Sequence, residues 1–338
     1  MLTLDPPEAI AAHARNVVFC AGFFDGVHLG HQALIAAAVK EAARCDFTAP
    51  AALTFRRHPQ AVLARNESFP LVVPDFSRKL EFLEAAGLKF CLALDFSVKM
   101  AAMPPDEFVK WAFGPWFAGD TSRRCLVVCG PNWRFGAGGA GRPQDIPALS
   151  DGRVEAKVVP LAEVGGAPVS SSRIRDAVSR GDLETATALL GRPWESDVDV
   201  FEANRGRGVG SAILGAPTAN ATVPGFLRPP VGVYAVDAVI ISGDQGCKPA
   251  TKWSRAVANY GFRPTFPDAR PDAPVLEIHF LDKVDVDLHG RHLRVRWLTR
   301  IRDERKFDTP AALAAQIRAD IAAAGSTVRP ALPGTCLS

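Results

Sequence analysis

"GFFDGVHLGH", Gly22 to His31, follows the apolar run "VVFCA" at 17–21 and opens into "HQALIAAAVKEAARC" at 31–45. A short apolar run bounded by glycine reads as a buried strand, and apolar residues recurring at three and four read as a helix. The quoted stretch is therefore a strand-to-helix turn. The backbone N–H groups that open a helix have no partner inside it and can face an anion. Gly22, Gly26 and Gly30 let the chain turn there and come close to a phosphate. His28 and His31 can donate to phosphate oxygens. If an α-phosphorus is attacked, charge grows on those oxygens and on the departing pyrophosphate, and donors already in place stabilise it. Taken alone, His-x-Gly-His is also compatible with two histidines of no special role.

The same pattern recurs outward from this turn. "AALTF" (51–55), "LKFCLALDF" (88–96), "RRCLVVCG" (123–130) and "VEAKVVPL" (154–161) read as strands. "SRKLEFLEAAG" (77–87), with Ser77 as cap and Gly87 as terminator, and "PPDEFVKWAF" (104–113) read as helices. "SSSRIRDAVSRGDLETATALLG" (170–191) closes the series as one helix or two, broken at Gly181. Strands alternating with helices predict an α/β Rossmann-like domain whose parallel sheet is covered on both faces. Ligands bind beyond the carboxyl ends of such strands. The serines of "VSSSRIR" (169–175), with Arg173 and Arg175, offer a second anion-binding helix start, or an ordinary serine cap.

After Gly191 the texture changes. Glycine- and proline-rich segments lead into "VYAVDAVII" (233–241), "SRAVANYG" (254–261), "PVLEIHFLD" (274–282) and "RHLRVRWLTRIR" (291–302), with no helix between them. That predicts an antiparallel barrel or sandwich. "TPAALAAQIRADIAAAG" (309–325) ends it as a helix capped by Thr309, with Pro310 in the first turn and Gly325 just past the end. The expected organisation is an α/β domain at 1–190, an all-β domain with a C-terminal helix at 191–325, and a flexible tail at 326–338.

Composition narrows the function classes. The net charge of +3 over 338 residues, with arginines dispersed, gives no footprint for nucleic acid. Seven cysteines without a CxxC pair read as reduced thiols of a cytoplasmic protein. No signal peptide and no apolar run of spanning length is evident, so no membrane partner is expected.

In the second half, Thr218 and Asn220 of "GAPTAN" (215–220) put neutral oxygens on alternate positions of an extended chain, a set that suits Mg²⁺ beside phosphate oxygens. A surface turn is the plainer reading. Glu277, alone in an apolar strand, is either a solvated carboxylate or a general base made more basic by partial burial.

These motifs carry a resemblance. "GFFDGVHLGHQALI", "LTFRRHP", "GPNWRFG" and "VSSSRIR" are similar, in order and spacing, to the adenylyltransferase module of bacterial bifunctional riboflavin kinase/FAD synthetases. "LLGRPW", "GAPTAN", "ANYGFRPTF", "LEIHFLD" and "RIRDERKF" resemble its riboflavin kinase module. The resemblance implies a nucleotidyltransferase domain followed by a six-stranded barrel. It implies transfer of AMP from ATP to FMN, giving FAD and pyrophosphate, and phosphorylation of riboflavin to FMN, both with Mg²⁺. Carried over by position, His28 and His31 would bind the phosphates and the developing charge. Gly22, Phe24, Asp25, Gly30, Asn132, Ser171, Ser172 and Arg175 would hold the nucleotide. Gly215, Thr218 and Asn220 would hold Mg-ATP in the barrel, and Glu277 would be the base on the ribityl hydroxyl. Asn259, Arg263, Arg302 and Glu304 would lie near the flavin. One departure bears on the kinase. In "RGRGVGSAILGAPT" either the loop carries an insertion between the Gly-Arg at 206–207 and the Pro-Thr pair, or register is kept from Pro217 backward and Ala212 replaces the arginine, removing a charge; in both cases Ala216 replaces an aromatic residue. An adenylyltransferase whose barrel binds flavin but phosphorylates weakly or not at all is the alternative this leaves.

Overall fold

In the computed structural model the described residues are 1–4, 16–44, 48–117, 120, 122–204, 218–243, 252–262, 274–282 and 287–330. The chain divides into two compact units, Met1–Ser171 and Ser172–Ser338.

The first unit is built on a parallel sheet. Its strands are β1 (Leu2–Leu4), β2 (Asn16–Ala21), β3 (Thr48–Phe55), β4 (Phe90–Leu94), β5 (Cys125–Cys129) and β6 (Val154–Val158), in the order β1-β4-β3-β2-β5-β6. The sequence patterns had pointed to five of them; β1 is additional. Strands buried on both faces need continuous apolar runs rather than alternation. β2 shows this, with Val17 to Ala21 all buried. On one face Val18 and Cys20 pack with Leu34, Ile35 and Ala38 of helix α1 (Leu29–Arg44) and Leu83 of α2 (Phe76–Ala85). On the other, Phe19, Leu53 and Leu92 pack with Phe108 and Phe113 of α3 (Pro105–Phe113). The cap of α2 is Asp75, not Ser77: its carboxylate accepts from the Ser77 N–H at 2.8 Å. Asp is as good an N-cap as Ser, and here it lies at the non-helical position.

Helix α4 (Ser171–Arg180) starts on the last residue of the first unit; the rest of it and α5 (Leu183–Leu190) lie in the second. Gly181, at φ 76°, breaks them, and Asp182 caps the second. α5 packs against β7 (Trp194–Asn204) and β12 (Arg291–Arg302). The barrel is closed in the order β8-β11-β10-β9-β12-β7, with β8 at Thr218–Thr222, β9 at Gly232–Gly243, β10 at Ser254–Gly261 and β11 at Val275–Phe280. Closure leaves no unpaired edge. Its interior is centred on Trp297, whose ring lies 5.1 Å from Tyr234, 5.8 Å from Trp194 and 5.9 Å from Tyr260.

Helix α6 (Pro310–Ser326) covers the outside, with Ile321 and Ala324 against Val233, Ala235 and Val257. Thr309 caps it as expected, but the helix runs through Gly325 to Ser326. The start of the expected loose tail is anchored: Arg329 donates to both oxygens of buried Asp237, at 2.7–3.1 Å. Residues 331–338 lie outside the described residues. So do Gly215 and the altered loop before it, and Arg263. Among the described residues, Cys20, Cys91, Cys125 and Cys129 are free and buried.

Candidate active sites

The turn after β2 is tightly determined. Phe24 (φ 60°), Gly26 (φ 84°) and Val27 (φ 40°) all take the left-handed conformation. That is uncommon for Phe and strained for a β-branched valine, so surrounding contacts must hold it. They are visible. The amide of Gln32 donates to the Val27 carbonyl at 2.9 Å. The Asp25 carboxylate, 3 % exposed, accepts from the N–H groups of Val72 at 2.8 Å and Val73 at 3.2 Å. The Ser171 hydroxyl donates to the Asp25 carbonyl at 2.9 Å.

His28 stands immediately before α1, and its Nδ1 accepts from the His31 N–H at 3.3 Å. An accepting Nδ1 leaves the proton of the neutral ring on Nε2. The two imidazoles stack, with centroids 3.6 Å apart and planes 14° from parallel. Burial, then the neighbouring His28, then Lys79 hold the His31 pKa well below the ordinary value, so His31 is neutral. Its Nδ1 is buried without a hydrogen-bond partner among the described residues. Space at Gly30 is tight: a Cβ there would lie 3.1 Å from Cε1 of His28, which would have to shift by a few tenths of an ångström.

Four other expected residues of this unit fall into two groups. Gly22 and Asn132 lie beyond the carboxyl ends of the paired strands β2 and β5, Asn132 exposed in its turn. Phe24 and Asp25 are buried and frame the loop from within. Beside them is a cavity of about 330 Å³ that sequence reading did not foresee, lined by Phe23, Phe55, Phe96, Met100, Trp133 and Phe135 among others. These side chains come from four separate segments, so no local pattern could have announced it. Ser172 and Arg175 open α4, where Arg175 donates to the Ser172 hydroxyl at 3.1 Å.

In the barrel the site is made by strand register. Glu202 of β7 pairs with Asn220 of β8, Asn220 with Glu277 of β11, and Glu277 with Asn259 of β10. Directly paired residues project to the same face. The four therefore form a row across adjacent strands. Asn259 alternates with Tyr260, which packs on Trp297 inside, so the row faces outward. One step along, Thr218 pairs with His279, and its Oγ1 lies 2.9 Å from Nδ1 of that ring. Nε2 of His279 lies 3.7 Å from Oε1 of Glu277. Asn220 is 2 % exposed; its Nδ2 donates to Glu202 at 2.9 Å, and its Oδ1 is buried with no hydrogen-bond partner among the described residues. An orphaned buried carbonyl oxygen beside a threonine hydroxyl on the same face is a donor set that fits a hard cation. Glu202 and His279 were missed in the sequence. Glu202 had no motif, and His279 is identified only by the register that sets it opposite Thr218.

The expected flavin neighbours are placed differently from one another. Asn259 is in the row. Glu304 lies over the end of β10, so close to Gly261 that a Cβ there would collide with its carboxylate. Arg302 is committed to packing the fold: Nε and Nη2 donate to Asp320 of α6 at 2.7–3.1 Å, and Nη1 to the Asp303 carbonyl at 2.9 Å.

Residues 10–173 match the family model described as FAD synthetase, and residues 190–328 the one described as riboflavin kinase. A Bacillus subtilis protein described as a bifunctional riboflavin kinase/FMN adenylyltransferase is 31% identical over 317 residues, covering 93% of each chain. The chain belongs to the bifunctional riboflavin kinase/FMN adenylyltransferase family. Another bifunctional riboflavin kinase/FMN adenylyltransferase, from Escherichia coli K12, is 32% identical over 315 residues, covering 91% of this chain and 92% of that one. A crystal structure described as a macrolide-efflux protein from Streptococcus pneumoniae has the same overall fold, with a TM-score of 0.78 at 28% identity over 97% of this chain and 99% of that one. Among the described residues of this family member, no helix is long and apolar enough to cross a membrane.

Proposed function

We propose that the protein makes FAD in two steps in the cytoplasm, phosphorylating riboflavin in the barrel and transferring AMP from ATP to FMN in the α/β domain, with the functional boundary at residue 190. What carries this reading is that the two family matches fall in tandem on two units, each holding residues suited to its step.

In the adenylyl transfer, a phosphate oxygen of FMN attacks the α-phosphorus of ATP and pyrophosphate leaves. His28, its proton on Nε2, and neutral His31 donate to the oxygens where negative charge grows. The flavin ring takes the aromatic cavity, whose volume and apolar walls suit a planar heterocycle. Asn132, Ser171, Ser172 and Arg175 hold the nucleotide. No covalent intermediate is required; two aligned reactants and a neutralised charge suffice.

In the barrel, Glu277 accepts the proton of the ribityl hydroxyl as that oxygen attacks the γ-phosphorus of ATP; the bond from that phosphorus to the bridging oxygen breaks and ADP leaves. Thr218 and Asn220 would hold Mg²⁺, which neutralises phosphate charge when bound. Asn259 and Glu304 flank the flavin, and Arg302 supports that end by holding α6. The reading in which the barrel only binds flavin is not favoured: relatives about a third identical along nearly the whole chain carry both names.

The test is one chromatogram. Purified protein with riboflavin, ATP and Mg²⁺ is expected to yield FMN, then FAD with pyrophosphate. Tight flavin binding without FMN would restore the binding-only barrel, and FMN without FAD would remove the transferase.

A further inference from the structure

Lys79 of α2 is 3 % exposed, and no part of the sequence reading or of the proposed mechanism uses it. Among the described residues no carboxylate lies within ion-pair distance of it. Its ammonium donates instead to two main-chain carbonyls, Phe23 at 3.2 Å and Phe55 at 3.0 Å. It also lies 4.2 Å from the centroid of the Phe23 ring and 4.9 Å from that of Phe76. Burying an unpaired cation is costly, and a methionine would fill the same space at less cost. The two carbonyls suggest what offsets that cost. They belong to the residue two beyond the end of β2 and to the last residue of β3, and both residues line the aromatic cavity. The Phe23 carbonyl also accepts from the Thr54 hydroxyl at 3.0 Å. The next residue, Phe24, is the first left-handed position of the loop, and its ring meets that of His31 at 5.2 Å. One buried cation thus holds the peptide that joins the cavity wall to the histidine pair.

We propose that Lys79 is a positioning residue for adenylyl transfer, holding the Phe23 and Phe55 carbonyls so that the acceptor cavity and the histidine pair keep their mutual geometry. The inference rests on the functional reading above. Lys79 touches no substrate; it acts through Phe23 and Phe24. A charged donor holds a carbonyl more firmly than a neutral one, so the hold weakens when the ammonium loses its proton. Burial brings the Lys79 pKa down to about 8, against the opposing influence of Cys91 on β4 and Asp25 in the loop. His31 on α1 also senses the charge, and is neutral throughout this range. Between about pH 8 and 10.5 the unfolded chain keeps a proton that the folded chain has released, so through this group the fold gains stability as pH rises. A fall in transferase rate in that window is therefore not the unfolding of this region through Lys79.

The experiment compares the unmodified full-length protein with Lys79→Met, each given FMN and ATP, and separately riboflavin and ATP, with Mg²⁺. The variant is expected to lose about tenfold or more in transferase kcat, with KM for ATP changed less than about threefold, as for lost alignment rather than lost binding. Its riboflavin phosphorylation should be unchanged. The unmodified protein should lose transferase kcat above about pH 8 while its kinase rate holds, and the variant should lack that alkaline limb. A variant with unchanged transferase kcat, or one in which both activities fall in parallel, overturns the inference. If the variant does not accumulate folded, the pH profile of the unmodified protein decides: a transferase rate flat from about pH 7 to 9.5 overturns it. Unmodified protein that makes no FAD from FMN overturns the functional reading and this inference with it. Normal turnover beside an indifferent Lys79→Met overturns this inference alone.

Discussion

The two candidate sites are built in opposite ways. In the α/β unit the decisive groups lie within ten consecutive residues, and the work of the fold is to hold a short backbone in a conformation it resists. Phe24 and Val27 are left-handed, and side chains from α1, α2 and β3, half-buried or buried, hold the loop. In the barrel, Glu202, Asn220, Glu277 and Asn259 are spread over 76 positions, and ordinary extended strands bring them into one row by register alone. The first site is conformationally expensive and sequentially compact; the second is conformationally cheap and sequentially dispersed. A local sequence pattern can reveal the first kind, but the second kind only if the strand pairing is known.

Three substitutions test that contrast, from the largest expected effect to the smallest. Glu277→Gln should slow FMN formation from riboflavin by about 100- to 10,000-fold, the usual weight of a general base, while FAD still forms from supplied FMN. His28→Ala should do the reverse, lowering FAD formation about 100- to 1000-fold, as for the loss of one preorganised donor, while FMN accumulates. Product chromatography reads both; if either variant loses both activities while folded, the two sites are not separate. Gly30→Ala sharpens the comparison, because it alters space and no functional group. Its Cβ would press on the His28 ring at 3.1 Å, so FAD formation should fall by about tenfold with FMN formation unchanged. An unaffected rate would mean that the loop yields more readily than its buried contacts suggest.

Much of this was legible in the chain. The alternation of apolar runs specified five of the six parallel strands, and Gly181 and Thr309 marked a break and a cap that the structure bears out. β1, three residues long, has no pattern to read. The cap of α2 was placed two residues late because Ser77 and Asp75 are both good caps and only backbone conformation distinguishes them. Of the candidate site residues, some have a local signature in the sequence: the histidines in the turn, Thr218 and Asn220 in their alternation. Lys79, Glu202 and His279 have none. A lysine at a helical position looks like any solvated residue until the sheet covers it. Glu202 and His279 acquire meaning only from the strands beside them. Arg302 shows the converse: its motif points to a ligand, but its guanidinium spans β12 and α6.

The clamp between Arg329 and Asp237 bears on how this protein can be engineered. The last helix ends at Ser326, which invites truncation or fusion at that residue. A chain cut there would strand the Asp237 carboxylate on β9 without its cation. Tags, linkers and minimal barrels are better joined beyond Arg329, where the clamp is retained.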